Sequence, residues 1–249
     1  MVREGMNSFY DKLNDRSKKR FALLVDPDSY DDDALEELIG FINQDPPDLL
    51  LVGGSILFNP IDLTITTLKL GTHLPVFLFP GNVMQLSDQA DGILFLSLIS
   101  GRNSEFLIGN HVLAAPHLDC SGIEVIPTGY ILIENGRSTS VEYMSNTRPI
   151  PARKPELAVA TAMAGEMLGM RTIYLEAGSG ADQSVGLDMI SAVRKKISLP
   201  LIVGGGINTT EKAEAIYRAG ADMIVVGTVL ETEPHLIREF CSLRNKINS

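Results

Sequence analysis

LIVGGGINTTEKAEAIYRAGADMIVVGT, residues 201–228, decides the fold. An aliphatic run (201–203) ends in three glycines, a helical stretch (209–219) follows and is closed by Gly220, and a second aliphatic run (223–226) ends in Gly227-Thr228. This strand–loop–helix–strand pattern has the size of one βαβ unit, about 30 residues. Its strands are continuous apolar runs, as expected of parallel strands buried on both faces.

The same unit repeats outward from there. Residues 172–175 read as a strand before a helix over 186–196, and 155–168 as a helix with proline in its first turn. Earlier strands fall at 21–25, 49–52, 76–79 and 92–96, with another inside 123–133, bent by Pro127 and Gly129. Leu35, Leu38, Ile39 and Ile42 at helical spacing predict a helix over 34–43, behind a turn and N-cap supplied by residues 28–33. A further helix is predicted over 61–69 and a final one over 234–245. Strands three and four are separated by about a dozen residues, near the lower limit for a parallel crossover, so the third helix is expected to be short or missing. Eight strands in 249 residues predict one (β/α)8 TIM barrel, a fold that typically takes about 250 residues. A doubly wound open sheet is the structural runner-up. The polar stretch 134–154, with Gly136, Arg137, Arg148, Pro149 and Pro151, predicts a loop or small ribbon over one end of this single domain, residues 1–249.

Composition narrows the functions. Hydrophobic residues at 45% and charged residues at 21% exclude global disorder. Lys plus Arg number 21 against 31 Asp plus Glu, a net charge of −10. No nucleic-acid partner or anionic-membrane surface is therefore expected, and an anion must be bound by backbone dipoles, a metal or a few placed cations. Cys120 and Cys241 have no CxxC spacing, which argues against a disulfide framework or a cysteine zinc site and fits a cytoplasmic setting. The N-terminal stretch has no apolar h-region, so no signal peptide is expected. No apolar run approaches the ~18 residues of a membrane span.

In such a barrel the chemistry sits at the carboxyl ends of the strands. After strand seven, Gly204-Gly205-Gly206-Ile207-Asn208 lets backbone N–H groups approach a ligand, and Asn208 with Glu211 has capping-box spacing. With Gly227-Thr228 after strand eight, this predicts a phosphate grip. Strand six leads into Tyr174-Leu175-Glu176-Ala177-Gly178-Ser179-Gly180. Alternation points Tyr174 and Glu176 toward the lumen, where Glu176 can take a hydroxyl proton. Asp26, in Asp26-Pro27-Asp28, and Ser55, after Gly53-Gly54, offer hard oxygens to Mg²⁺. Asp28 reads as a turn residue and Asp31-Asp32-Asp33 as acidic enrichment at a helix start. His73, His111, His117 and His235 lack metal spacing and read as surface or packing residues; Lys154 reads as a solvated side chain.

The ordered set LLVDPD (23–28), LVGGS (51–55), EVIPTGYILI (124–133), YLEAGSG (174–180), VGGGI (203–207) and VVGT (225–228) resembles the geranylgeranylglyceryl phosphate synthase family, with its heptaprenylglyceryl phosphate synthase relatives. The likeness runs from about Phe21 to Phe240. It implies a Mg²⁺-dependent prenyltransferase of lipid biosynthesis on a barrel whose third helix is lost. Such enzymes join the C3 hydroxyl of sn-glycerol 1-phosphate to C1 of a long-chain isoprenoid diphosphate, expected here to be geranylgeranyl diphosphate. By the resemblance, Asp26 and Ser55 are the Mg²⁺ ligands. Residues Tyr174, Leu175, Glu176, Ala177, Gly178, Ser179 and Gly180 contact glycerol phosphate, and Gly205, Gly206, Gly227 and Thr228 cradle its phosphate. Leu96, Leu98, Ile99 and Phe106 are candidates for the prenyl groove. Some members carry Lys two residues before the metal-binding Asp; Leu24 stands there, which resembles the family's second branch. A homo-oligomer is expected. A barrel isomerase or lyase acting on a sugar phosphate is the alternative, and a barrel that binds without turnover is the third reading.

Overall fold

The computed structural model describes residues 8–249. Eight parallel strands close in sequence order, β1-β2-β3-β4-β5-β6-β7-β8, with β1 pairing β8. They are β1 (Arg20–Val25), β2 (Leu49–Val52), β3 (Val76–Leu78), β4 (Gly92–Leu98), β5 (Glu124–Leu132), β6 (Thr172–Glu176), β7 (Leu201–Gly204) and β8 (Met223–Val226). The TIM barrel read from the sequence is the observed fold, and the open sheet is excluded by the β1–β8 ladder.

Alternation along the strands sorts side chains into two packed layers. Ala22, Leu49, Leu51, Phe77, Leu94, Ile126, Tyr130, Tyr174, Ile202, Met223 and Val225 fill the lumen. Phe21, Leu23, Leu50, Val52, Ile93, Ile131, Ile173, Leu175, Val203 and Ile224 face the helices. Burial on both sides explains why the strands read as unbroken apolar runs.

The outer layer is covered by α2 (Asp32–Gln44), α3 (Ile61–Gly71), α4 (Asn110–Ser121), α6 (Pro155–Met167), α7 (Leu187–Arg194), α8 (Thr210–Ala219) and α10 (Ile237–Asn248), with the short helices α1 (Phe9–Asn14), α5 (Ser140–Ser145) and α9 (Thr228–Thr232) set at the ends. Asp31 caps α2 by accepting the Ala34 N–H at 2.9 Å, the role foreseen for this acidic run. Between β3 and β4 lies only a 3-10 turn, Val83–Gln85, so the third crossover helix is indeed missing. A π turn, Glu105–Gly109, leads into α4.

Several boundaries differ from the sequence reading. The cap of α8 is Thr209, whose hydroxyl accepts the Lys212 N–H at 3.3 Å. Asn208 instead accepts from Lys212 Nζ at 2.8 Å, so the cap lies one residue later than expected. Strand β4 continues to Leu98, and residues 234–236 form a 3-10 turn ahead of α10. The segment 134–154 contains α5, and its start is tied by an Ile133–Ile150 bridge.

Nothing in the sequence reading singled out α1. It inserts Phe9 and Leu13 into the lumen from below, with Phe9 packed on Phe77 at 5.4 Å between ring centroids. Glu124, at the start of β5, accepts the Phe9 and Tyr10 N–H groups and the Ser8 hydroxyl, fixing this plug by its N-terminus. Residues 1–7 of the stretch read for a targeting signal lie outside the described residues.

Candidate active site

A cavity of about 680 Å³ opens at the carboxyl ends of the strands. Its wall takes Tyr174, Glu176, Ser179 and Gly180 from the β6 side, Gly205 and Gly206 after β7, and Gly227 and Thr228 after β8. Asp26, after β1 and so next to the β8 turn, and Ser55, after β2, continue the wall. All these predicted residues thus share one site. Leu175 and Ala177 do not: both belong to the outer layer and stay out of the wall, because alternation turns them away from Tyr174 and Glu176. Gly178 is also outside the wall, and its N–H is directed at Glu176 Oε1, 2.5 Å away.

Glu176 ends β6 with only 5% of its surface exposed. Burial pushes its carboxyl up to about 7, opposed by the Gly178 N–H and the hydroxyls of Tyr174 and Tyr130. The carboxylate therefore holds and releases a proton near neutrality, as a general base requires. Tyr130, Tyr174 and Phe79 stack beneath it, with ring centroids 5.2–6.1 Å apart. Burial and the neighbouring Glu176 charge raise both phenols well above their ordinary value. They therefore act as hydrogen-bond donors. Tyr130 and Phe79 were not singled out as site residues from sequence, although Tyr130 pairs in register with Tyr174.

The phosphate turns need glycine. Gly205 and Gly206 have φ of 82° and 66°, a left-handed geometry disfavoured for other residues. A Cβ on Gly205 would also lie 2.5 Å from Glu176 Oε1, and one on Gly206 2.7 Å from the Gln183 carbonyl. Ser179 Oγ and Thr228 Oγ1 approach to 3.4 Å, joining the β6 and β8 turns over β7. Bare N–H groups, two hydroxyls and helix starts thus converge where a small phosphorylated molecule fits.

At the end of β1, Asp26 Oδ1 accepts the Asp28 N–H at 3.0 Å. Its Oδ2 faces Gly54, where a Cβ would intrude to 2.7 Å. Burial raises the Asp26 carboxyl, and Asp28 adds to the rise by like charge. Glu231, also in the wall, is raised by burial and by Asp26. Among the described residues no cluster of three His, Cys, Asp or Glu is arranged as a cage. Mg²⁺ does not require one, since it commonly takes one or two carboxylates and completes its shell with water and substrate phosphate. A half-buried carboxylate with no salt bridge among the described residues, the Ser55 residue in the same wall and the clearance at Gly54 fit that ion.

From this centre an apolar groove runs into the gap left by the missing helix. Leu96, Leu98 and Phe106 line it with Phe95, His111 and Ala114. Ile99 does not. Its Cδ1 packs in the space left by Gly129 on β5 and Gly165 on α6, so it belongs to the helix–strand interface. His111, read as a surface or packing residue, is in the groove wall with its ring edge-on to Phe95 at 4.6 Å. Burial lowers the pKa of its ring, opposed by the Leu96 backbone beside it. His117 lies on the surface with Asp88 at 2.8 Å, and Lys154 is exposed beside Glu156. Leu24 lines the cavity, and among the described residues no Lys or Arg is in its wall.

The PcrB family profile matches residues 14–243. A geranylgeranylglyceryl phosphate synthase of Spirosoma linguale is 48% identical over 232 residues, 93% of each chain. One of Thermococcus kodakarensis is 44% identical over 224 residues, 89% of this chain and 87% of that one. Among solved structures, (S)-3-O-geranylgeranylglyceryl phosphate synthase from Thermoplasma acidophilum in complex with substrate sn-glycerol-1-phosphate superposes with a TM-score of 0.90 at 31% identity, covering 97% of this chain and 98% of that one. Thiamine phosphate pyrophosphorylase from Pyrococcus furiosus, at 13% identity and a TM-score of 0.56, shares the fold alone. By sequence and by structure, the chain belongs to the PcrB family.

Proposed function

We propose that this protein is a prenyltransferase that joins an allylic isoprenoid diphosphate, of geranylgeranyl length, to the C3 hydroxyl of sn-glycerol 1-phosphate. The observation that carries this reading is the place of Glu176: between the glycine turns on one side and the mouth of the apolar groove on the other. The relatives' common name and the glycerol phosphate complex of the Thermoplasma acidophilum protein agree with it.

The phosphate of the acceptor sits on the Gly205-Gly206 and Gly227-Thr228 turns, with Ser179 and Gly180 closing over it. Its C3 hydroxyl then faces Glu176. The hydroxyl oxygen attacks C1 of the prenyl group, the C–O bond to diphosphate breaks with its electron pair, and Glu176 takes the hydroxyl proton. Holding both reactants at one point removes the entropic cost of their encounter. Tyr174 and Tyr130 keep the carboxylate oriented, and their low acidity stops them from competing for its proton. Asp26 and Ser55 would hold Mg²⁺, which would neutralise charge on the departing diphosphate. The tail lies along Leu96, Leu98 and Phe106, where each buried methylene contributes about 0.8 kcal/mol.

Among the described residues no helix is long and apolar enough to cross a membrane. Cys120 and Cys241 are both free, in keeping with a reducing cytoplasm. Exposed Ile108, Val112 and Leu113 around the start of α4 offer an apolar face for a homo-oligomer. A sugar-phosphate isomerase or lyase would leave the groove beyond Leu98 without a use. Incubation with the two substrates and Mg²⁺ tests the reading: the prenyl ether of glycerol phosphate is the expected product, and its absence contradicts the assignment.

A further inference from the structure

Among the described residues, the cavity wall holds the carboxylates Asp26, Glu176, Asp182 and Glu231 and no Lys or Arg side chain. With a net charge of −10 on the chain, a doubly charged phosphate approaches this mouth against the field. Backbone N–H groups supply partial charge only. Beside the β7 turn, Lys212 Nζ is held by the Gly206 carbonyl at 3.5 Å and by Asn208 Oδ1 at 2.8 Å, and on the β6 side a second cation, Arg137, stands at the rim.

Arg137 lies on the segment between β5 and α6. Its guanidinium rests against the β6 turn, with Nη2 3.4 Å from the position a Cβ on Gly180 would take. Gly180 is part of the wall. Nη1 is held by Asp182 Oδ1 at 3.5 Å, and the two side chains are 51% and 69% exposed. Such a long, exposed pair contributes little and exchanges readily. A phosphate offers the guanidinium a doubly charged partner and a bidentate fit.

The arm that carries Arg137 is well fixed. Buried Asn135 donates from Nδ2 to the Ala177 carbonyl, and its Oδ1 accepts the Arg137 N–H at 3.1 Å. Beyond it, Thr139 caps α5 and sets its methyl group in the space beside Gly178. The backbone on either side of Arg137 is thereby docked on the β6 turn, and its side chain remains free to exchange partners.

We propose that Arg137 is a phosphate-binding cation of the acceptor site: Asp182 holds it at the rim, and the phosphate of sn-glycerol 1-phosphate takes it over, closing the side chain across the Gly180 turn. The inference rests on the function proposed above and assigns it a binding residue on the segment over the barrel. It also gives Asp182 a role, as an internal anion that competes with the ligand.

Calorimetric titration of the full chain with sn-glycerol 1-phosphate tests this. Arg137→Gln is expected to weaken binding by about tenfold or more, and Arg137→Lys to recover part of the loss. Asp182→Asn is expected to tighten binding, and the double variant to match Arg137→Gln alone, since Asp182 acts only through the arginine. The KM for the isoprenoid diphosphate should stay within about twofold of wild type. Wild-type-like binding by Arg137→Gln would overturn the proposal. So would equal losses in Arg137→Gln and Asp182→Asn without rescue by lysine, the result of a merely structural pair. A wild-type chain that fails to bind sn-glycerol 1-phosphate would overturn the underlying function as well, so the two failures are distinguishable.

Discussion

Gly204 and Tyr174 face one another in the lumen across strands β7 and β6, and a methyl group on Gly204 would overlap the Tyr174 hydroxyl and come within 3.0 Å of Glu176 Oε2. The absence of a side chain at Gly204 is what lets the phenol stand beside the carboxylate. Tyr174 is only 1% exposed, so it has no open space to retreat into. Gly204→Ala is expected to lower stability by about 1–3 kcal/mol through overpacking and to drive the hydroxyl off Glu176. Chemical denaturation measures the first effect. The second should appear as an upward move of the acidic limb of the kcat/KM profile.

Glu176→Gln keeps the shape of the site and removes the base. Turnover should fall by about a hundredfold or more, with sn-glycerol 1-phosphate binding retained. Full activity would reject Glu176 as the proton acceptor. In the wild type, kcat/KM should rise with pH through about 7, the value to which burial pushes this carboxyl.

The same shift has a stability consequence of definite sign. Between pH 4.5, its ordinary value, and about 7, the folded chain keeps a proton that the unfolded chain has lost. Wild-type stability therefore declines as pH rises through that window and stays reduced above it. Glu176→Gln escapes this penalty. It should be more stable than wild type at pH 8, by on the order of 3 kcal/mol, and the gap should close near pH 4. Thermal unfolding of both proteins across this range checks the sign.

Asp26→Asn should separate the two halves of the site. Removal of the carboxylate opposite Gly54 is expected to abolish the dependence of turnover on Mg²⁺ concentration and to cut kcat/KM for the isoprenoid diphosphate. Binding of sn-glycerol 1-phosphate, on the turns after β6, β7 and β8, should persist. A magnesium titration of initial rates, paired with calorimetry, reads both. Unchanged Mg²⁺ dependence would remove Asp26 from the ion's shell.

Much of this arrangement was legible in the sequence because glycine and alternation leave unambiguous marks. Gly205-Gly206 and Gly227-Thr228 could be placed at strand ends, and the period of two put Tyr174 and Glu176 on one side. The same rule, applied strictly, would have removed Leu175 and Ala177 from the contact set, since it turns them to the outer layer. Ile99 misled because an apolar residue next to a groove strand looks the same whether it faces the groove or fills the space over Gly129 and Gly165. His111 and Ala114 were silent because helix α4 has a mixed surface with no dominant apolar face, and only packing shows which side meets the groove. The plug helix α1 was silent for a related reason: its six residues are too few to carry a periodic signal, and its hold on Glu124 spans more than a hundred positions.

Ala114 offers a direct test of the groove. It is 4% exposed, in the wall of the cavity beside His111. Ala114→Phe should block the distal groove and reduce kcat/KM for geranylgeranyl diphosphate by about tenfold or more, since each excluded methylene forfeits about 0.8 kcal/mol. Geranyl diphosphate, whose tail ends earlier, should be affected far less. Equal losses for both lengths would indicate a general packing defect.

The central claim is that the turns after β6, β7 and β8 and the apolar groove meet at Glu176 to join two substrates. Mass analysis of lipid extracts, after incubation of the purified chain with Mg²⁺, geranylgeranyl diphosphate and either sn-glycerol 1-phosphate or sn-glycerol 3-phosphate, measures this in one experiment. The account predicts geranylgeranylglyceryl phosphate and free diphosphate in equal amounts, formed preferentially from the 1-phosphate. Consumption of neither substrate, or hydrolysis of the prenyl diphosphate with no ether formed, would contradict it.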